Sequence, residues 1–154
     1  MSTNVQYCTF FVDELFLGIE VQQVQEVIRY QEMTRVPLAP AAVRGLINLR
    51  GQIVTAVDLR ARLGLPPRPP EYKPMNVVVR DEDNAVSLLV DRIGDVLEAD
   101  HATFEPPPPT LRGPARDLIT GTHKLAHRLL LVLDTERAVS DLSSASRPEV
   151  AATT

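Results

Sequence analysis

The 154-residue sequence lacks the paired cysteines of disulfide-stabilised proteins and the long apolar runs of membrane proteins. It contains one cysteine, Cys8, so no internal disulfide is possible, which fits a reducing compartment. Cys8 lies within an apolar run, and this predicts a buried structural thiol. No apolar run approaches the roughly 20 residues of a transmembrane helix, and the N-terminus shows no secretory pattern. We therefore expect a cytoplasmic protein without direct membrane insertion.

Positive charge and aromatic residues are scarce as well. The net charge is −4, aromatic residues make up 5% of the chain, and tryptophan is absent. Proteins that bind nucleic acid usually present a basic stripe and aromatic side chains on which bases stack. No nucleic-acid partner is therefore expected, and a small β-barrel that binds nucleic acid is kept as the alternative function.

The compact motifs of several enzyme classes are missing. The seven glycines are scattered rather than grouped in a phosphate-binding loop, and no Gly-x-Ser-x-Gly segment occurs. His123 and His127 have the spacing of two metal ligands on a helix, but they flank a predicted hairpin turn. Asp91 and Asp95 are expected in a solvated turn. The missing motifs count against catalysis, no metal and no cofactor are expected, and a hydrolase using the two histidines is a third possibility.

What the sequence does contain is a series of short apolar segments, rich in β-branched residues and arranged in pairs. Strands that follow one another through short turns favour antiparallel barrels over a parallel sheet with long helices. The predicted strands cover residues 5–12, 15–20, 46–50, 53–57, 76–80, 85–91, 93–97, 118–124 and 128–134.

One amphipathic helix is predicted over residues 21–29. Val21, Val24, Val27 and Ile28 recur at steps of three and four residues, with polar residues between them. This spacing gives an apolar stripe that a two-turn helix cannot entirely hide, because the four side chains cannot all point inward from one narrow face. Either all four belong to the core, or the edge of the stripe remains free for a partner.

Shorter helical segments follow from capping residues. Asp58 is a suitable N-cap for a helix over 59–63, and Gly64 is a suitable stop. A single helical turn is predicted at 41–44, after Pro40. Two proline-rich segments, 64–76 and 101–117, should form irregular loops, a C-terminal helix should cover 135–143, and 144–154 should be a flexible polar tail.

Two charged residues are candidates for an ion pair. Glu26 lies on the predicted helix, and Arg50 ends a predicted strand just before Gly51-Gln52, which suits a two-residue type II′ turn. One carboxylate and one guanidinium can form a bidentate pair that ties helix to hairpin. The alternative is that both are solvated surface charges.

Four blocks of the sequence resemble the CheW family of chemotaxis coupling proteins. The resemblance covers about residues 5–140, and its most specific part is Asn48–Arg60. The blocks are VQQVQEVIR, PAAVRGLINLRGQIVTAVDLRARLG, AVSLLVDRIGDVLEAD and ITGTHKLAHRLLLVLD.

This resemblance implies a mainly β fold of two small SH3-like five-stranded antiparallel barrels that share a core. It implies one domain over 1–143, with one short helix between strands and a C-terminal helix. It also implies a non-catalytic adaptor that couples the cytoplasmic tips of methyl-accepting chemoreceptors to the regulatory domain of a CheA-type histidine kinase. Such a protein reaches the membrane array only through its partners.

By residue match, the resemblance also assigns a set of candidate functional residues. Those near the receptor-binding groove are Val24, Glu26, Val27, Gly45 and Arg50. Those of the structural motif are Asn48, Gly51 and Asp58.

Overall fold

The computed structural model describes residues 4–81 and 84–139. Ten strands form most of this part of the chain. The strands are β1 (Asn4–Val12), β2 (Leu15–Glu20), β3 (Val24–Ile28), β4 (Val43–Leu49), β5 (Gln52–Asp58), β6 (Met75–Asp81), β7 (Asn84–Val90), β8 (Arg92–Asp100), β9 (Ile119–Lys124) and β10 (Leu129–Leu133). The helices that lie between the strands are α1 (Leu59–Arg62), α2 (Pro114–Leu118) and two 3-10 turns, Val21–Gln23 and His101–Thr103.

The strands form two five-stranded sheets, in the orders β8-β1-β2-β10-β9 and β3-β6-β7-β5-β4. Four pairs of consecutive strands form antiparallel hairpins, as the sequence predicts: β1 with β2, β4 with β5, β6 with β7, and β9 with β10. Each sheet also contains one parallel pair, β2 with β10 and β5 with β7. The predicted mainly β fold with two five-stranded sheets is confirmed, and its details are consistent with SH3-like barrels.

Three apolar clusters hold the strands together. One lies within the first sheet, around Tyr7 and Leu130, and a second lies within the second sheet, around Ile47 and Val54. The largest cluster contains residues from both sheets, among them Phe10 from β1 and other members from β5, β6 and β7. The two sheets are therefore joined by apolar packing, which is the main favourable term in folding.

The predicted helix over residues 21–29 is wrong. Val21–Gln23 forms a single 3-10 turn, and Val24–Ile28 forms β3 and pairs with β6. Burial along β3 alternates with a period of two, so that Val27 points the opposite way from its neighbours Glu26 and Ile28. The β-branched side chains suit a strand, and pairing with β6 overrides the helical spacing.

The predicted type II′ turn is also wrong, because the turn lies one residue earlier. Leu49 pairs with Gln52, so Arg50 and Gly51 form the two-residue loop. Their φ angles are 50° and 88°, which is the type I′ pattern. Arg50 therefore lies in the turn and not at the end of the strand.

The capping prediction around α1 is confirmed. The Asp58 carboxylate accepts a hydrogen bond of 3.0 Å from the Arg60 N–H, and Gly64 follows the helix with φ 74°. The predicted helical turn at 41–44 is replaced by a turn closed by the Val43 N–H, which donates to Pro40 at 2.9 Å, after which β4 begins.

The segment 101–117 is not entirely irregular, since it contains a 3-10 turn and the start of α2. The Asp100 carboxylate caps the 3-10 turn by accepting from the Ala102 N–H. Pro114 occupies the first turn of α2, where its missing N–H carries no cost. Of the predicted C-terminal helix, residues 135–139 are helical. Its remainder and the predicted tail at 144–154 lie outside the described residues.

Candidate partner-binding surface

Glu26 and Arg50 form the predicted bidentate ion pair. Arg50 Nη1 donates to Glu26 Oε2 at 3.0 Å, and Nη2 donates to Oε1. The Glu26 side chain is 19% exposed and the Arg50 side chain 73% exposed. The carboxylate is thus held close to the protein surface while the arginine reaches it from the solvent side.

This ion pair connects two edges of the second sheet. Glu26 belongs to β3 at one edge, and Arg50 belongs to the turn that follows β4 at the other edge. Beyond β3 the chain continues across β4, where Thr34 and Leu46 exchange two backbone hydrogen bonds of 2.8 and 2.9 Å. The Glu26–Arg50 ion pair therefore links the two edges of the second sheet.

Val24 and Val27 have different surroundings on β3. Val24 is half-buried and packs against the cluster that joins the two sheets. Val27 is 38% exposed and points to the opposite face of β3 from the half-buried Glu26 side chain. The alternative that all four apolar side chains of 21–29 belong to the core is wrong for Val27, which offers an apolar contact on the surface.

Gly45 is buried in β4 against the segment that crosses it. A Cβ at Gly45 would lie 2.6 Å from the Thr34 carbonyl oxygen and 3.0 Å from the Met33 Cβ. Close approach of two backbones, rather than contact with solvent, requires glycine at this position. Gly45 is therefore buried, and it is not one of the residues of the β3 surface, the name used below for Val24, Glu26, Val27 and Arg50 together.

Two members of the structural motif shape the turn that carries Arg50. The Asn48 side chain accepts a hydrogen bond of 2.9 Å from the Gly51 N–H. Gly51 adopts φ 88°, which a residue with a Cβ rarely does, and a Cβ there would meet open space. This turn aims the Arg50 side chain toward Glu26.

The third member, Asp58, belongs to a network of arginines that the sequence did not reveal. Its side chain is 3% exposed and accepts from Arg44 Nε at 3.2 Å and Arg68 Nη1 at 3.3 Å. Arg68 lies in the proline-rich loop, so Asp58 ties that loop to the end of β5. Both carboxylate oxygens of Asp58 thus accept hydrogen bonds from other residues of the protein.

Asp91 occupies the centre of the same network, and the expected solvated turn is wrong for this residue. Arg60 donates three hydrogen bonds to its carboxylate, the shortest 2.7 Å, and Arg68 donates two, of 2.8 and 3.0 Å. The Asp13 N–H donates a further one at 2.6 Å. Burial raises the pKa of Asp91, but these donors outweigh it and lower the pKa to about 2.

The two histidines have separate environments. His123 is buried, with the Tyr7 hydroxyl 3.1 Å from Nε2 and the Thr103 hydroxyl 3.0 Å from Nδ1, and burial lowers the pKa of His123. Both ring nitrogens are thus used within the fold, whereas His127 is exposed. Among residues 4–81 and 84–139, no group of three or more potential ligands is arranged to hold a metal ion.

Cys8 is half-buried rather than buried as predicted, and this partial burial raises the pKa of the Cys8 thiol. It lies on β1, where it pairs with Ile19 of β2 and Val96 of the edge strand β8. Within the part of the chain that the structure describes, no helix is long and apolar enough to cross a membrane.

We expect the Glu26–Arg50 pair to contribute modestly to stability. Because Arg50 is largely exposed, solvent screens the attraction, and the coupling free energy should be about 1 kcal/mol or less. Denaturant melts of Glu26→Ala, Arg50→Ala and the double variant measure this coupling. A coupling above about 3 kcal/mol would instead show that the pair behaves as a buried one.

The family model of the CheW-like domain matches residues 6–143. This chain belongs to the CheW family. The chemotaxis protein CheW of Treponema pallidum (strain Nichols) is 30% identical over 139 residues, which cover 88% of this chain and 82% of that protein. The chemotaxis protein CheW of Bacillus subtilis (strain 168) is 29% identical over 146 residues, which cover 95% of this chain and 94% of that protein.

A solved structure agrees with the family assignment. The crystal structure of the scaffolding protein TtCheW from Thermoanaerobacter tengcongensis matches with a TM-score of 0.76 at 26% sequence identity. The match covers 84% of this chain and 88% of that one. The CheW family consists of non-catalytic scaffold or adaptor proteins of chemotaxis, and the family and this neighbour support a chemotaxis adaptor.

Proposed function

We propose that this chain couples methyl-accepting chemoreceptors to a CheA-type histidine kinase, and that the β3 surface binds the receptor tip. Through these two partners it would associate with a receptor array at the membrane. The observation that carries the proposal is the exposed side chain of Val27 on β3, at the edge of the second sheet, while the Glu26 carboxylate on the other face of β3 is held by a bidentate arginine. Such a combination of apolar contact and fixed charge suits an amphipathic helix, which is the form of a receptor tip.

The rigidity of the β3 surface supports this role. Glu26 is fixed by Arg50, and β3 itself is fixed by its pairing with β6. Gly45 lets the Thr34 backbone approach β4, where the segment after β3 exchanges two backbone hydrogen bonds with Leu46. A preorganised surface loses less entropy when a partner binds than a mobile one does.

The kinase should bind a different patch, at the end of one barrel. An adaptor acts by holding two partners at once, so the two surfaces must be separate. Family membership favours this function over the nucleic-acid-binding barrel that the composition left as an alternative.

Val27→Asp should weaken receptor binding by about tenfold to a hundredfold. The new carboxylate would lose water against an apolar receptor helix without gaining a partner, which costs about 1–3 kcal/mol. Kinase binding should be nearly unchanged. Two titrations measure this, one with a receptor-tip fragment and one with the kinase regulatory domain, after circular dichroism has confirmed the fold.

Val36→Asp is a matched control, because Val36 is also 38% exposed but lies outside the β3 surface. It should leave receptor binding within about twofold of the parent. Equal weakening of receptor and kinase binding by Val27→Asp would contradict the proposal, and loss of kinase binding alone would mean that the two surfaces are exchanged.

A further inference from the structure

A cleft of about 320 Å³ lies between the proline-rich loop 64–74 and the second sheet, away from the residues of the β3 surface. Its floor includes Leu89 of β7, and Asp58 lies at one side. The volume is at the lower end of the range found for small-ligand sites. The side chains that matter for its chemistry are Tyr30, Arg44, Arg68, Tyr72 and Lys73.

The lining carries an excess of positive charge. Three cationic side chains, Arg44, Arg68 and Lys73, line the cleft beside a single carboxylate, Asp58, and Arg68 is also paired with Asp91 outside the lining. That carboxylate already accepts from Arg44 Nε, Arg68 Nη1 and the Arg60 N–H. It therefore has little capacity left to neutralise a further cation, and the cleft favours an anion.

Two groups of donors remain for a ligand. Within the described ranges, the terminal nitrogens of Arg44 make no hydrogen bond to the protein, and its side chain is 43% exposed. The Lys73 ammonium lies 4.6 Å from the centre of the Tyr30 ring and has no carboxylate partner among residues 4–81 and 84–139. A guanidinium and an ammonium on one cleft can hold a phosphate or carboxylate group by charge-assisted hydrogen bonds.

The remaining walls are flat and mostly apolar. Tyr30 and four prolines of the loop line the cleft, and Tyr72 at its mouth is 66% exposed. Proline lacks an N–H donor, and aromatic rings bind planar groups by stacking. These walls would contribute nothing to a bare inorganic anion, whereas they would bury the planar ring of a larger one.

We propose that this cleft binds a small organic anion with a planar ring, of the class of the nucleoside monophosphates. Arg44 and Lys73 would hold the anionic group, and Tyr30, Tyr72 and the prolines would cover the ring. The inference concerns a site separate from the β3 surface, so it stands or fails independently of receptor coupling.

Calorimetric titration of the full chain with adenosine monophosphate, adenosine and inorganic phosphate tests both parts of the proposal. The nucleotide should bind, and each of the two fragments should bind at least about tenfold more weakly. Absence of nucleotide binding at millimolar concentration would overturn the proposal. If adenosine bound as tightly as the nucleotide, the charged group would contribute nothing and the proposal would be overturned. If phosphate bound as tightly as the nucleotide, the apolar walls would contribute nothing and the proposal would also be overturned.

Lys73→Gln should weaken nucleotide binding by about tenfold, because it removes one charge-assisted contact. Lys73 is exposed and its ammonium contacts only the Tyr30 ring among the described residues, so the variant should fold. Lys124→Gln is the matched control, since Lys124 is 74% exposed on β9 of the first sheet. An equal effect of both variants would show only long-range attraction and would overturn the proposed site.

Discussion

Asp91→Asn should lower the free energy of unfolding by about 3–5 kcal/mol. The Asp91 carboxylate is 17% exposed, and its partners Arg60 and Arg68 are 14% and 9% exposed. Removing its charge leaves two nearly buried guanidinium groups without their shared partner, which is the expensive way to break a buried ion pair. Chemical denaturation at neutral pH measures the loss. Asp117→Asn, at an exposed position of α2, is the matched control and should change stability by less than about 0.5 kcal/mol.

The position of Asp91 gives this substitution its large effect. Asp91 is the residue between β7 of the second sheet and β8 of the first, and its N–H donates to the Phe11 carbonyl at 2.9 Å. Its carboxylate also binds the Asp13 N–H in the first sheet and, through Arg68, the proline-rich loop. One side chain thus fixes the two sheets and the loop relative to one another.

The same carboxylate predicts a specific pH dependence. Because the folded-state pKa of Asp91 is about 2, below its usual value of 3.8, the unfolded chain takes up a proton more readily than the folded one. The stabilisation is therefore fully present above about pH 4 and is lost as the pH falls toward 2. Asp91→Asn should remove this component from the acid-unfolding profile. An unchanged profile in the variant would contradict the assigned role.

Gly45→Ala should destabilise the fold by about 2–3 kcal/mol. Its Cβ would lie 2.6 Å from the Thr34 carbonyl oxygen, a backbone atom held by two hydrogen bonds to Leu46. Relief of the clash requires the crossing segment to move away from β4, which costs packing and hydrogen bonds. Thermal and denaturant unfolding measure the effect, and a receptor titration of the folded fraction measures any change in the β3 surface.

Gly51→Ala separates this steric effect from the cost of a positive φ. Gly51 has φ 88°, but a Cβ there meets nothing within 4 Å, so only the backbone cost of about 1–2 kcal/mol applies. Gly45→Ala should be the more destabilising of the two. If Gly45→Ala has the same free energy of unfolding as the parent chain, the Thr34 backbone does not require glycine at position 45.

The hairpins could be predicted because their signals are local. Alternating β-branched residues and short polar turns depend only on neighbours along the chain, and Asp58 and Gly64 cap α1 by contacts within a few residues. The sequence pattern places the turn one residue too late, at Gly51-Gln52 instead of Arg50-Gly51, because glycine suits both the type I′ and the type II′ turn. The register of β4 with β5 decides between them.

The strand β3 could not be predicted in the same way. The spacing of Val24, Val27 and Ile28 fits a helix as well as a strand, and the residues themselves favour neither decisively. The deciding partner is β6, which comes much later in the sequence, so the choice depends on a contact that no local pattern encodes.

By itself the sequence determined the mainly β class and the family, since the hairpin pattern and the family motif depend on residues close together in the chain. It made Glu26 and Arg50 candidates for an ion pair, and the structure decided that they form one. Only the tertiary structure decided that Val27 is exposed, that Gly45 faces the Thr34 backbone, and that Asp91 unites Arg60 with Arg68. These properties depend on burial and on pairing between segments far apart in sequence. A carboxylate that looks solvated in the sequence becomes the centre of a network when folding brings two distant arginines to it.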